Sequence, residues 1–188
     1  AGPMENFVVE RWSPALGAEV RCLDLDAALR GSDAQIDEVV DALYGALIEH
    51  QVLFLRDQPL SPEMHVELGR RLGKLAPRHH SYTTLDGNDD VAVLTWEPGD
   101  RPDASEWHTD MTFRPKPPFA SILKAIELPP VGGDTLWASM YSVYDSLDTG
   151  FRSDLEGMEI CHDPGQFRNG AYERGGNQGI TDMLAEAG

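Results

Sequence analysis

A histidine and an aspartate separated by one residue, His108-Thr109-Asp110, are the side chains of this sequence best suited to metal chemistry. In an extended strand alternate residues point to one side, so a strand through WHTDMTF at 107–113 faces both together, with α-carbons roughly 6.5 Å apart. An imidazole nitrogen and a shorter carboxylate can close that gap onto one ion. A further histidine would complete the two-histidine, one-carboxylate arrangement of non-haem iron(II) oxygenases, which leaves positions open for co-substrate and oxygen. Standing alone the HxD pattern is unspecific. Such a pair in a strand is usually a surface pair, and Trp107 and Phe113 serve equally well as core residues.

The elements that must carry this pair follow from the apolar periodicity. Residues 7–11 and 19–25 are rich in extended formers and read as two short strands parted by Ser13-Pro14. Ser32 with Gln35 has capping-box form, and Ile36, Val39, Val40, Leu43 and Leu47 follow on one helical face that must be core. The apolar run QVLFL at 51–55 predicts a buried strand. Ser61 as N-cap and Pro62 at the first helical position open a second helix. Met64, Leu68 and Leu72 line that helix, and Gly73 suits a left-handed stop. From about 75 the pattern turns to extended segments, at 91–95, 111–113, 120–128 and 135–138, separated by Pro and Gly clusters. A short helix is predicted over 140–147, a loop over 161–180, and a last turn at 182–185. Two helices beside a set of non-repeating strands give an α+β fold built around a sheet sandwich or barrel.

Composition narrows the class. The chain has 188 residues, 41% of them hydrophobic, enough for one sizeable core. Ala1-Gly2-Pro3 ahead of Met4 reads as a cloning remnant, leaving 4–188 as a single domain. A formal charge of −17 argues against nucleic acid and anionic membrane surfaces as partners, so an anionic small-molecule substrate needs its own local basic groups. Cys22 and Cys161 lack metal or disulfide spacing, which makes a reducing cytoplasm the expected compartment. No apolar stretch reaches the length of a membrane span. A homo-oligomer is compatible with the sequence, although no interface can be read in it.

Beyond the HxD pair, four motifs resemble the TauD/TfdA family of iron(II)- and 2-oxoglutarate-dependent dioxygenases: GAEV at 17–20, VLFLR at 52–56, WHTDMTF at 107–113 and LPPVGGDTLW at 128–137. They cover about residues 7–150. WHTD followed by GGDTLW at this separation is far more specific than HxD. The resemblance implies a double-stranded β-helix (jelly-roll) core flanked by helices, with Fe(II), 2-oxoglutarate and O2 as the reacting set. It implies that His108 and Asp110 bind iron and that the Thr135 hydroxyl donates to the 2-oxoglutarate carboxylate. Gly132-Gly133 permits the tight turn ahead of Thr135. By the same resemblance His79 and Tyr82 hold the substrate and Phe113 walls its pocket. The position of an asparagine that contacts the taurine amine falls on Ala104, a departure that favours an alkyl sulfate or another sulfonate over taurine. Hydroxylation would then release sulfite or sulfate and an aldehyde, with succinate and CO2 from the co-substrate.

The family's second ligand histidine and its 2-oxoglutarate arginine have no recognisable counterpart. His162 stands in ICHDP at 160–164, and Arg168 and Arg174 lie in a polar loop, none with the expected surroundings. The C-terminal part of the core is thus expected to be missing from this chain. Two rival readings follow: a non-catalytic fragment or binding module that keeps only part of the metal site, and the same fold holding zinc or nickel.

Overall fold

In the computed structural model the residues described are 7–77, 82–97 and 107–162. Strand β1 (Val8–Arg11) pairs antiparallel with β2 (Ala18–Arg21), with Val9 opposite Val20. The connecting loop is closed by the Ser13 hydroxyl, which accepts from the Leu16 amide at 3.1 Å. β2 ends sooner than its composition predicts, because Cys22 takes a left-handed φ of 62° that breaks the extended run. A short helix unforeseen in the sequence follows, α1 (Leu25–Ala28), whose N-cap Asp24 accepts from the Ala27 amide at 3.0 Å.

Helix α2 (Asp33–His50) begins where Ser32 predicts, with Gln35 Oε1 accepting from the Ser32 amide at 3.0 Å. Ile36, Val39, Val40 and Leu43 are buried as the periodicity requires, while Leu47 is half-buried. The helix returns the chain to β3 (Leu53–Leu55), which lies parallel to β2 with Ala18 opposite Leu53. β3 is half-buried along its length rather than fully buried. Helix α3 (Pro62–Leu72) starts on Ser61, whose hydroxyl accepts from the Met64 amide at 3.3 Å. Gly73 ends it with extended backbone, φ 162°, instead of the left-handed turn predicted. Val20, Leu25, Leu29, the α2 face, Leu60 and Leu68 form one core, against which Met64 and Leu72 pack. Gln58 ties its edge together: its Oε1 accepts from the Leu25 amide and its Nε2 donates to the Leu23 carbonyl, both at 2.9 Å.

Strands β4 (Thr83–Leu85) and β5 (Asn88–Val93) form a hairpin about Asp86-Gly87, with Gly87 at φ 77°. The Asp-Gly signal was present in the sequence, yet the strand was expected only from residue 91. Farther on, helix α4 (Met140–Ser146) matches the prediction, and α5 (Thr149–Leu155) was not foreseen. Asp148 caps α5 by accepting from the Phe151 amide at 2.9 Å.

The strands predicted at 111–113, 120–128 and 135–138 are not observed; these segments join no ladder among the described residues. β-propensity expresses fit to a paired, half-buried surface. Here the side chains face outward, with Leu123 70%, Ile126 83% and Leu128 71% exposed. Segment 120–128 is instead held by side chains, His65 Nε2 donating to the Ile122 carbonyl at 3.1 Å and Lys124 Nζ to the Leu60 carbonyl. The strands observed thus make one sheet of three and one of two, and they do not by themselves close a jelly roll. No described helix is long and apolar enough to cross a membrane.

The chain divides into two compact units. Among the described residues, one comprises 7–73 and 122–158 and contains the three-stranded sheet, the core and all five helices. The other comprises 74–77, 82–97, 107–121 and 159–162 and contains the β4–β5 hairpin.

Candidate metal centre

Segment 107–113 approaches its chemistry by a turn and not by strand alternation. Residues 107–109 are irregular, a turn begins at Asp110, and the Arg114 amide donates to the Met111 carbonyl at 3.1 Å. Met111 takes a left-handed φ of 53°, a conformation that costs a side-chain-bearing residue about 1 kcal/mol. The result is convergence of the predicted pair, His108 Nε2 lying 3.2 Å from Asp110 Oδ1. Both are accessible, with side chains 37% and 64% exposed.

That separation suits a shared ion. Nitrogen and oxygen ligands about 2.1 Å from a divalent metal and 3.2 Å from each other subtend an angle of about 100°. This lies between the adjacent-ligand angles of octahedral and tetrahedral sites, so the pair is spaced to occupy two neighbouring positions on one divalent ion, iron(II) among them. No group of three or more His, Cys, Asp or Glu side chains placed to hold a metal occurs among the described residues. His162 does not join the pair. Its Nδ1 instead shares a 2.8 Å hydrogen bond with Thr112 Oγ1, the tautomer deciding which atom donates. A solitary loop histidine was the sequence expectation, and nothing in the local pattern signalled a partner fifty positions away.

The remaining predicted residues are distributed as follows. Phe113 closes the turn and is half-buried, and Tyr82 is half-buried just before β4; both belong to the unit that holds His108 and Asp110. His79, Ala104, Arg168 and Arg174 lie outside the described residues. Thr135 belongs to the other unit, where it is exposed on an irregular segment. Its approach is set by Gly132 and Gly133, with φ of 79° and 71°, as the Gly-Gly pair predicted. Its exit is set by Trp137, whose ring meets Phe54 edge-on. Phe54 in turn stacks on Trp12 at 4.5 Å between ring centres, and the Arg56 guanidinium lies 4.9 Å from the centre of the Trp12 ring.

The family model described as taurine catabolism dioxygenase TauD, TfdA family matches residues 9–184, and the chain belongs to that family. Within it the chain is 30% identical over 160 residues to an alkylsulfatase of Acinetobacter baylyi, covering 85% of this chain and 48% of the relative. It is 34% identical over 152 residues to an alpha-ketoglutarate-dependent sulfate ester dioxygenase of Pseudomonas putida, covering 78% and 46%. Among solved structures, a taurine dioxygenase from Burkholderia xenovorans superposes with a TM-score of 0.67 at 31% identity, covering 80% of this chain and 51% of that one. The chain thus spans about half the length of the curated relatives it matches.

Proposed function

We propose that the protein is an Fe(II)- and 2-oxoglutarate-dependent dioxygenase that hydroxylates a small sulfonate or sulfate ester on the carbon bearing the sulfur group. The observation that carries this reading is the 3.2 Å approach of His108 Nε2 to Asp110 Oδ1 inside the WHTDMTF segment of a TauD/TfdA chain. His108 and Asp110 hold the metal as neutral imidazole and carboxylate, which lowers the charge of the centre by one. Thr135 donates its hydroxyl proton to a 2-oxoglutarate carboxylate oxygen. His79 and Tyr82 hold the anionic end of the substrate, and Phe113 presents an apolar wall that limits water near the reacting carbon. Iron with bound co-substrate supplies the oxidising power to convert C–H into C–OH. The hydroxylated carbon then expels sulfite or sulfate and becomes an aldehyde, while 2-oxoglutarate ends as succinate and CO2. Jelly-roll architecture in the whole protein and a cytoplasmic location belong to the same reading, the latter supported by two free, exposed cysteines.

Support for a sulfur ester over taurine comes from the alkylsulfatase and sulfate ester dioxygenase relatives and from Ala104 in place of an amine-binding asparagine. Two measurements test the proposal. Anaerobic addition of Fe(II) and 2-oxoglutarate should produce a visible charge-transfer band; zinc or nickel produces none, and neither does a non-catalytic binding module. Oxygen uptake should then be faster with hexyl sulfate or a longer alkanesulfonate than with taurine. A clear preference for taurine defeats the substrate assignment, and absence of the band defeats the reaction.

A further inference from the structure

We infer that His162 is a positioning residue for the His108–Asp110 pair, acting through its hydrogen bond to Thr112. The inference rests on the iron reading above and concerns a residue outside the ligand set. Its physical basis is the local cost of the turn. Met111 sits at φ 53°, a left-handed backbone well that a residue carrying a Cβ seldom adopts and that its surroundings must hold in place. The Arg114 amide to Met111 carbonyl bond closes the turn but is itself local, three residues apart, and would form equally in a turn that drifts as a body. Thr112 follows the strained residue directly, and its Oγ1 is bonded to His162 Nδ1 at 2.8 Å across a sequence separation of fifty. Such a long-range tether fixes the turn against a second segment of the same unit.

The consequence for the pair is geometric. Asp110 is 64% exposed at its side chain, so packing alone does little to hold it. Rotation of the 110–113 turn would swing the carboxylate away from His108 and open the 3.2 Å gap that suits one ion. Outer groups that orient metal ligands commonly change affinity by roughly 10- to 100-fold when removed. Because His162 works through Thr112 and touches neither ligand, the lower end is expected, about 10-fold.

The test compares wild type with His162→Ala, His162→Gln, Thr112→Val and the His162→Ala/Thr112→Val double variant. Apparent Fe(II) affinity is read from the anaerobic charge-transfer band with saturating 2-oxoglutarate, and amide hydrogen exchange across 110–113 is read on the metal-free protein. His162→Ala and Thr112→Val should each weaken Fe(II) by about 10-fold, and the double variant should be no weaker than either single one. His162→Gln, which keeps a polar atom near the same place, should recover most of the affinity. Exchange across 110–113 should quicken in His162→Ala. Circular dichroism identifies a variant that has not folded, in which case His162→Gln and Thr112→Val carry the comparison. If wild type gives the band and His162→Ala binds Fe(II) equally well, or the two substitutions simply add, the positioning role is overturned while the iron reading stands. If wild type gives no band, both fall together, and unchanged exchange in His162→Ala rejects the tether by itself.

Discussion

Trp137 meets Phe54 edge-on with ring centres 5.5 Å apart, and this contact anchors the segment on which Thr135 lies two residues earlier. The anchor is itself supported, since Phe54 stacks on Trp12. Edge-on aromatic pairs contribute about 1 kcal/mol beyond the area they bury. Trp137→Ala should therefore raise the apparent Kd for 2-oxoglutarate by about 5-fold. Trp137→Phe, which preserves an edge, should recover most of that loss. Titration of the charge-transfer band with 2-oxoglutarate at saturating Fe(II) measures it, and equal affinities in all three proteins would refute the anchoring role.

Gly133 is expected to be the less replaceable member of the Gly-Gly pair. Both residues have left-handed φ, but a Cβ on Gly133 would lie 3.0 Å from Pro129 Cγ, whereas one on Gly132 would meet open space. Gly132→Ala should cost about 1 kcal/mol from backbone strain alone, and Gly133→Ala about 1 kcal/mol more from the contact with the rigid ring. Urea denaturation gives both values. Equal losses would show that the proline ring yields freely.

The acid limb of stability should depend on Asp26. Its carboxylate accepts from Arg30 Nε at 2.6 Å and from the Ser61 amide at 3.0 Å, contacts that hold its pKa down at about 2 from an ordinary 3.8. A folded pKa below the unfolded one means stabilisation that is complete above about pH 4 and is lost as pH falls toward 2. Asp26→Asn should thus lower the melting temperature near neutrality and match wild type near pH 2. A deficit of constant size from pH 6 to pH 2 would rule this linkage out.

Arg71 joins two helices through three carboxylates: Asp33 at 2.7 Å and Asp37 at 3.1 Å on α2, and Glu67 at 2.8 Å on its own helix α3. Their hydrogen bonds, with Glu67 first and Asp33 next, raise the guanidinium pKa further above its ordinary range. Arg71→Met keeps the apolar stem and removes the charge, so a reduced melting temperature is expected at low salt. Because two of the three carboxylates are largely exposed, molar salt should shrink the difference. A difference insensitive to salt would assign the effect to packing.

Asp110→Asn keeps size and one accepting oxygen but removes the negative charge facing His108. Fe(II) affinity should fall by at least 10-fold, together with the charge-transfer band, while the melting temperature of the metal-free protein changes little, since this side chain is exposed. Full retention of the band would exclude Asp110 from the metal site.

The helical half of the protein was legible because its signals are local. The Ser32–Gln35 pair and Ser61 specify helix starts through bonds to amides three residues away, Pro62 does so by its fixed φ at the first helical position, and the α2 face repeats at 3.6 residues whatever surrounds it. Asp148 and Asp86-Gly87 were equally local, yet α5 and β4 went unread and β5 was read only from residue 91, because Thr83–Leu85 and Asn88–Asp90 carry little apolar pattern. The strands predicted at 111–113, 120–128 and 135–138 failed for a different reason: a strand exists through a partner, and partners are not encoded in the segment itself.

The same division runs through the candidate site. Residue identity and spacing determined that His108 and Asp110 could share an ion, that Gly132 and Gly133 would turn the chain before Thr135, and that the chain carries the TauD/TfdA pattern. Tertiary structure alone decided how the pair meets, by a strained turn at Met111 rather than by strand alternation, and that His162 reaches Thr112. It also decided that Trp137 closes on Phe54, which in turn stacks on Trp12, residues far apart in sequence. Short-range geometry is fixed by a few dihedral preferences, whereas these contacts depend on where distant segments are carried by the folding of everything between them.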